Sequence, residues 1–484
     1  GHTVRPPEAD RAPAAPPSMP RSAVRPLARA LAAALPVLAA LPATLPGARL
    51  QAQLPRATAE SVGMSAERLA RIPEALRAAV ARGDVAGAVS LLARDGRIVA
   101  LDSAGVATLG GGRPAGARTL FWIASMTKPV TGVAVLMLQD EGKLKASDPV
   151  AKYLPEFARV QVALVERDSA GAVTSARTVP ARRRMTVRDL LTHRSGLTYG
   201  FLDAGPVGEG YRRDGVSDGV GSTGSTLADN VRRLAAQPLV AEPGTRWQYG
   251  LSTDVLGRVV EVAAGMPLER VFRERIFQPL GMHDTGFWVD DARLDRLSAL
   301  HVMVRDTLRA VPDSGASFDG GRLRIPGGEA LRGSRTYFSG GAGLVSTVGD
   351  YARFAQMLLD GGALDGVRLL SPKTVELMAA SATNDLPAGA VGAGMHFGLG
   401  FGIVADLGAT GRLGSEGTFG WSGIFGTDFW VDPTERMIGV LMVQVLPQRV
   451  RVSDVFRTMA YQAVTRSAAA PAAAARTAAR TAAG

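Results

Sequence analysis

The hydrophobic pattern gives two β-rich runs, Ala86–Ala93 and Ile98–Gly105, and the Arg94-Asp95-Gly96-Arg97 between them is a hairpin signal. Ahead of them, Ser65 to about Arg82 repeats its apolar residues at helical spacing. A second helix runs from about Ser125 to Gln139 and stops at Glu141-Gly142. Shorter helical patterns follow at Val187–His193, Thr226–Ala236, Thr253–Ala264 and Leu268–Phe277, separated by Gly- and Pro-containing loops, of which 199–225 is very Gly-rich. Another helix covers about Thr347–Asp360. Three strand-like runs, 397–405, 418–431 and 437–445, precede a closing helix near Val452–Val464. Strands at both ends with helices between them imply that the first and last strands meet in one sheet. The pattern therefore predicts an α/β protein of the α+β type, with a mostly antiparallel sheet built from N- and C-terminal strands. Residues 53–140 plus 341–463 form the sheet domain, and 141–340 a mainly helical lobe.

Composition changes this picture only at the ends. The chain has 484 residues, 46% hydrophobic and 20% charged, which excludes a fibrous or wholly disordered protein. It has no cysteine, so disulfides, iron–sulfur clusters, a thiolate nucleophile and Cys–zinc sites are excluded, and its 5 His leave little for a His-rich metal centre. The net charge of +11 is concentrated at the termini: residues 1–52 hold six Arg against two acids, and 464–484 three Arg and no acid. The body keeps +4 by subtraction, and 50 of its 55 basic residues chain-wide are Arg. That distribution argues against nucleic acid as a partner. Arg21, Arg25 and Arg29, the apolar stretch Leu31–Leu45 and the small residues Ala48–Ala52 read as a signal peptide within a leader at 1–52. A low-complexity Ala/Pro leader is the alternative. No later segment approaches 18 consecutive apolar residues, so no stable membrane anchor is expected. An exported protein, periplasmic or secreted, follows, with a disordered Ala/Arg-rich tail at 464–484.

Three stretches can carry chemistry. Ser125-Met126-Thr127-Lys128 sits at a helix start, where free N–H groups and the positive dipole end favour a developing negative charge. Lys128, three residues on, projects from the same face as the Ser125 hydroxyl. Phe121, Trp122 and Met126 around it favour the neutral amine, which can take a proton from the serine. The bland reading of this motif alone is a helix cap with a solvated lysine. About 120 residues later, Tyr249 lies in a loop just before the helix at 253–264, where a phenol near a cation can relay a proton. Gly420-Trp421-Ser422-Gly423-Ile424 lies in a β-rich run, and glycine there suits close approach of a bound acyl group to the backbone. A backbone N–H from this edge and that of Ser125 would make an oxyanion hole.

These three motifs in this order resemble the penicillin-recognising serine hydrolase superfamily, which covers class C β-lactamases, D-Ala-D-Ala carboxypeptidases and family VIII carboxylesterases. Asp189-Leu-Leu-Thr-His-Arg-Ser-Gly-Leu197, Gly341-Ala-Gly-Leu-Val-Ser-Thr347 and Leu370-Ser-Pro372 extend the likeness over about residues 57–463. The resemblance implies a β-lactamase/DD-peptidase-like fold, Ser125 as the acylated nucleophile, Lys128 as its base and Tyr249 as proton relay. It further implies an oxyanion hole from the N–H groups of Ser125 and Ile424, substrate contacts from Trp421, Ser422, Gly423 and Leu251, and no metal or organic cofactor. Leu251 and Trp421 stand where β-lactamases and peptidases carry an Asn and a cation. The loss of both polar handles resembles the family VIII esterases, so a short-chain ester is the preferred small-molecule substrate, with room for weak β-lactam hydrolysis. A β-lactamase or D-amino-acid peptidase is one alternative, and a penicillin-binding module without turnover another. Oligomeric state is not readable. Gly215-Val-Ser217-Asp-Gly219 matches the elbow of α/β-hydrolases, but Glu209–Asp214 before it cannot be a buried strand. His193 reads as a structural residue ending its helix rather than as a base.

Overall fold

The two N-terminal β runs form strands β1 (Gly87–Arg94) and β2 (Arg97–Gly105). Their link is a two-residue turn with Asp95 and Gly96 both at positive φ (51° and 72°), a geometry whose twist matches that of the flanking strands. This computed structural model describes residues 53–220 and 224–469, so the leader at 1–52, with the signal peptide expected in it, and the last residues of the tail lie outside the described residues. Five more strands come from the far end of the chain: β3 (Met395–Phe397), β4 (Gly402–Val404), β5 (Phe419–Ser422), β6 (Asp428–Asp432) and β7 (Met437–Met442). The seven strands make one sheet in the order β3-β4-β5-β6-β7-β1-β2, each neighbour antiparallel. β7 lies on β1 with Val89 opposite Met442, so the first and last strands do meet. The 418–431 run is not one strand but β5 and β6, because residues 423–427 turn the chain back. The 397–405 run is likewise the β3–β4 hairpin.

The strand period decides the layers. Val89, Leu91 and Ala93 of β1, Ile438 and Val440 of β7, and Phe429 and Val431 of β6 enter the main core. The alternate residues Ala88, Leu92, Trp430 and Leu441 enter a second core on the opposite face. β1 is buried on both faces, which is why 86–93 reads as an unbroken apolar run. Helices α1 (Arg71–Ala81) and α5 (Val452–Tyr461) cover the second face. Helix α4 (Val348–Leu359) packs on β1, β6 and β7 from the main-core side. Helix α2 (Thr127–Asp140) is buried from Thr127 through Leu138 and packs against α3 (Ser252–Ala264). A helix apolar all round belongs in a core, and each of its buried Val and Leu side chains contributes about 1.5–3 kcal/mol.

The segment 141–340 carries the expected helices, including Val187–Leu191 and Leu227–Ala235, each opened by a Thr–Asp capping box (Thr186/Asp189 and Thr226/Asp229). It also carries three β pairs that periodicity does not predict: Gln161–Arg167 with Val173–Pro180, His301–Val304 with Thr307–Ala310, and Ala316–Phe318 with Leu323–Ile325. The first is exposed along nearly all of its second strand, so no buried face imposes alternation on the sequence. The 199–225 loop contains a helix, Pro206–Arg213, opened by proline at its first position. Among the described residues no helix is long and apolar enough to cross a membrane.

Candidate active site

Ser125 reaches its position through a short strand and a tight turn. Phe121–Trp122 pairs with Val345–Ser346, and a 3₁₀ turn over Ala124–Met126 leads into α2. Ala124 holds φ at 44°, a left-handed conformation that costs a non-glycine residue about 1–3 kcal/mol and is tolerated only where the surroundings enforce it. The turn leaves Ser125 half-buried beside Lys128, which is 1% exposed. Lys128 Nζ lies 3.1 Å from Ser125 Oγ, 2.9 Å from Tyr199 OH and 2.9 Å from the Gly341 carbonyl oxygen. The Gly341 carbonyl can only accept, and together with the Tyr199 hydroxyl it fixes the amine beside the serine hydroxyl.

Tyr249 closes this group from the other side. Its ring centroid is 4.7 Å from Lys128 Nζ, and its hydroxyl accepts a hydrogen bond of 3.2 Å from Trp421 Nε1. Aromatic rings pin it: His193 at 4.8 Å, Tyr199 at 5.5 Å, Trp421 at 5.6 Å and Trp247 at 5.8 Å between centroids. Leu251, assigned above to substrate contact, does not line the site. The chain enters α3 at Ser252, and Leu251, at the cap of that buried helix, turns wholly into the main core. His193 is buried against Tyr249 with its Nδ1 unpartnered, and burial, then the nearby Lys128, pushes its pKa far down. It is a neutral packing residue at the end of the Val187–Leu191 helix.

The third stretch supplies the opposite wall. Gly423 N–H donates to Thr427 O (2.7 Å), and a Cβ at Gly423 would stand 2.2 Å from Thr427 Oγ1 and 2.5 Å from Ile123 O. Only glycine lets this turn touch the backbone just ahead of the serine. Neither the Ser125 nor the Ile424 N–H is spent on a backbone partner. Ser125, Tyr249, Trp421, Ser422, Gly423 and Ile424 all line one cavity of about 470 Å³, together with Tyr199, Phe201 and Val220. The rings of Tyr199 and Phe201 stack at 5.0 Å.

Two side chains escape the sequence reading. Tyr199, two residues past the Asp189–Leu197 motif, is the phenol bonded to Lys128, and burial, then the neighbouring Tyr249 and Asp254, holds it well above the usual tyrosine range, hence protonated. Asp254, in the first turn of α3, is wholly buried, and burial pushes its carboxyl up to about 6 against the pull of the Ser339 hydroxyl and Lys128. Tyr337 OH reaches it at 3.4 Å and accepts from Asn230 Nδ2 at 2.8 Å. Position alone, one turn after Tyr249, was the available signal for Asp254. Ser217 follows a helix and not a strand; its backbone N–H binds Asn230 Oδ1 at 2.7 Å, and its Oγ accepts from Gly219 N–H. The hydrolase-elbow geometry is absent there. Among the described residues no group of three or more His, Asp and Glu side chains could hold a metal ion.

A model of the Beta-lactamase family matches residues 72–462. Protein Rv1367c of Mycobacterium tuberculosis (strain ATCC 25618 / H37Rv) is 37% identical over 332 residues, 66% of this chain and 74% of that protein. Esterase EstB of Burkholderia gladioli is 34% identical over 377 residues, 75% of this chain and 87% of that protein. Among solved structures, EstCE1, described as a hydrolase with promiscuous acyltransferase activity, superposes with a TM-score of 0.70 at 28% identity, covering 82% of this chain and 99% of that one. The matched span holds the whole sheet from β1 to β7 and all three motif-bearing stretches, so the chain belongs to the Beta-lactamase family of penicillin-recognising serine hydrolases.

Proposed function

We propose that the protein is a carboxylesterase for short-chain esters that works through an acyl-enzyme on Ser125. The observation that carries this reading is the 3.1 Å approach of Lys128 Nζ to Ser125 Oγ beneath the Tyr249 ring, at a cavity that Tyr199, Phe201, Tyr249 and Trp421 help to wall. Ser125 Oγ attacks the ester carbonyl as its proton passes to Lys128, and the Ser125 and Ile424 N–H groups receive the oxyanion. Collapse of the tetrahedral intermediate expels the alkoxide. Tyr249, facing the amine, carries the proton to that leaving group. Water then attacks the acyl-enzyme by the same path in reverse and frees the acid. Trp421 fixes the Tyr249 hydroxyl through its indole N–H. Trp421, standing in the cavity wall where β-lactamases carry a cation, supports esters over β-lactams as substrates, and the esterase name of EstB supports the same choice. The basic and apolar leader at 1–52 supports export to the periplasm or medium.

The test is hydrolysis of 4-nitrophenyl butyrate by Ser125→Ala and Ser217→Ala. Loss of the nucleophile is expected to cost about 10⁴–10⁶-fold in kcat, and the Ser217 change little. An active Ser125→Ala with an inactive Ser217→Ala would reverse the assignment. Faster turnover of nitrocefin than of the butyrate by orders of magnitude would replace the esterase reading with a β-lactamase.

A further inference from the structure

A second cavity, of about 390 Å³, adjoins the first and shares Trp421, Ser422 and Arg451 with it. It lies between the β3–β4–β5 edge of the sheet and the start of α5. It is richer in charged groups than its neighbour, where among the described residues Arg451 is the one ionisable cation in the lining: Arg412, Arg451 and Arg457 face Asp428 and Asp454, three Arg against two Asp and a formal charge of +1. The internal ion pairs are loose. Arg412 Nη2 stands 3.4 Å from Asp454 Oδ1, Arg451 Nε 4.0 Å from Asp454 Oδ2, and Arg457 Nη2 4.0 Å from Asp428 Oδ2. Among the described residues none of these three guanidinium groups donates a hydrogen bond, although each carries five N–H donors. Arg457 Cζ lies over the Trp430 ring, 4.6 Å from its centroid. Burial pushes the Asp428 carboxyl up to about 6, against the pull of Arg457, Arg451 and Arg412. Three planar donor forks converging on one cavity with only loose ion pairs between them leave room for an anion that can take two N–H bonds from one guanidinium.

We propose that this second cavity is a subsite for an anionic extension of the ester, a carboxylate carried on its acyl or its alcohol part, with Arg451 and Arg412 as counter-ions. This rests on the ester-hydrolase reading above and names its substrate class. A single carboxylate matches the net charge of one and the bidentate geometry of a guanidinium. A doubly charged phosphate would meet Asp454 and Asp428. The two cavities meet at Trp421 and Ser422, two to three residues before the Ile424 N–H, so an ester bound at Ser125 can extend into the cationic space.

The experiment compares kcat/KM for three esters: 4-nitrophenyl butyrate, mono-4-nitrophenyl glutarate with its carboxylate on the acyl side, and 4-carboxyphenyl butyrate with it on the alcohol side. The readout is the ratio of each charged ester to the neutral one, which cancels general effects on the machinery. Arg451→Gln and Arg412→Gln should each lower one of the two ratios about tenfold, the worth of a charge-assisted hydrogen bond in a half-exposed site. Arg451→Lys should recover part of the loss, and about 0.5 M salt should erode the wild-type ratio. Both side chains are more than a third exposed (39% for Arg412 and 53% for Arg451), so the variants retain the fold. Whichever ratio falls identifies the side that carries the carboxylate. Ratios within about twofold of wild type in both Gln variants would overturn the subsite while leaving the esterase intact. Absence of Ser125-dependent hydrolysis of the neutral butyrate would instead overturn the hydrolase reading on which the subsite rests.

Discussion

Removing the hydroxyl of Tyr199 tests how the lysine is held. In Tyr199→Phe the ring keeps its stacking on Phe201 at 5.0 Å with planes 19° apart, so packing is preserved and a single interaction is deleted. That interaction is the 2.9 Å contact with Lys128 Nζ in a fully buried setting. Once it is gone, the amine retains only Gly341 O and Ser125 Oγ, and its position beside the serine is less firmly fixed. A hydrogen bond to a charged or charge-developing group is worth about 1.5–3 kcal/mol, which is about 10- to 150-fold in rate. The loss should fall mainly on kcat, because the hydroxyl faces the amine. Steady-state hydrolysis of 4-nitrophenyl butyrate, with thermal unfolding as a control, measures it. A variant with unchanged melting temperature and kcat within about threefold of wild type would refute the idea that three fixed neighbours orient Lys128.

Other consequences follow from the same geometry. Trp421→Phe deletes the 3.2 Å donor to Tyr249 OH while keeping an aromatic wall, and should lower kcat about 2- to 10-fold in the same assay; an unaltered kcat would free the phenol from the indole. Gly423→Ala drives a methyl to within 2.5 Å of Ile123 O and should cut esterase activity at least about a hundredfold and lower the melting temperature, so a fully active variant would show that the turn does not set the oxyanion hole. Asp428, raised by burial from 3.8 to about 6, binds its proton more tightly folded than unfolded. The folded state therefore holds more protons across about pH 4 to 6, and the Asp428 contribution makes stability fall as pH rises through that window and level off above it. Asp428→Asn removes this share, on the order of 2–3 kcal/mol, so the melting temperature of the variant relative to wild type should rise between pH 4 and 7; an equal difference at both pH values would contradict the burial argument.

Much of this architecture is written in local patterns. The β1–β2 turn is legible because Asp95-Gly96 tolerates positive φ, and β1 because a strand buried on both faces is apolar throughout. The Gln161–Pro180 hairpin is not legible, since it has little buried surface to pattern its residues. At the site, Ser125, Lys128, Tyr249 and Ile424 stand out through motifs, and the structure gathers them around one cavity or, for Lys128, directly beneath it. Tyr199 and Asp254 carry no such mark, because their importance lies in contacts across 71 positions and across the α2–α3 interface rather than in neighbours along the chain. Leu251 shows the opposite error. A motif position predicts a side chain facing the ligand, but at a helix cap the rotation into the core is set by packing that spacing alone does not reveal.

The pairing of β1 with β7 has a consequence for biogenesis. The chain runs 353 positions from Val89 to its partner Met442, and the Trp421 edge is likewise made late, so a ribosome-bound chain holds Ser125 before the Trp421–Ile424 wall of its cavity exists. The seven-stranded sheet can therefore close only once the residues of β7 have been made. Closure is then sealed where Ser65 N–H meets Ala463 O at 2.8 Å, placing the two ends of the folded body side by side. A circular permutant joined there by a short linker, with new ends in the exposed 168–172 turn, would deliver β7 before β1 and still build the same sheet.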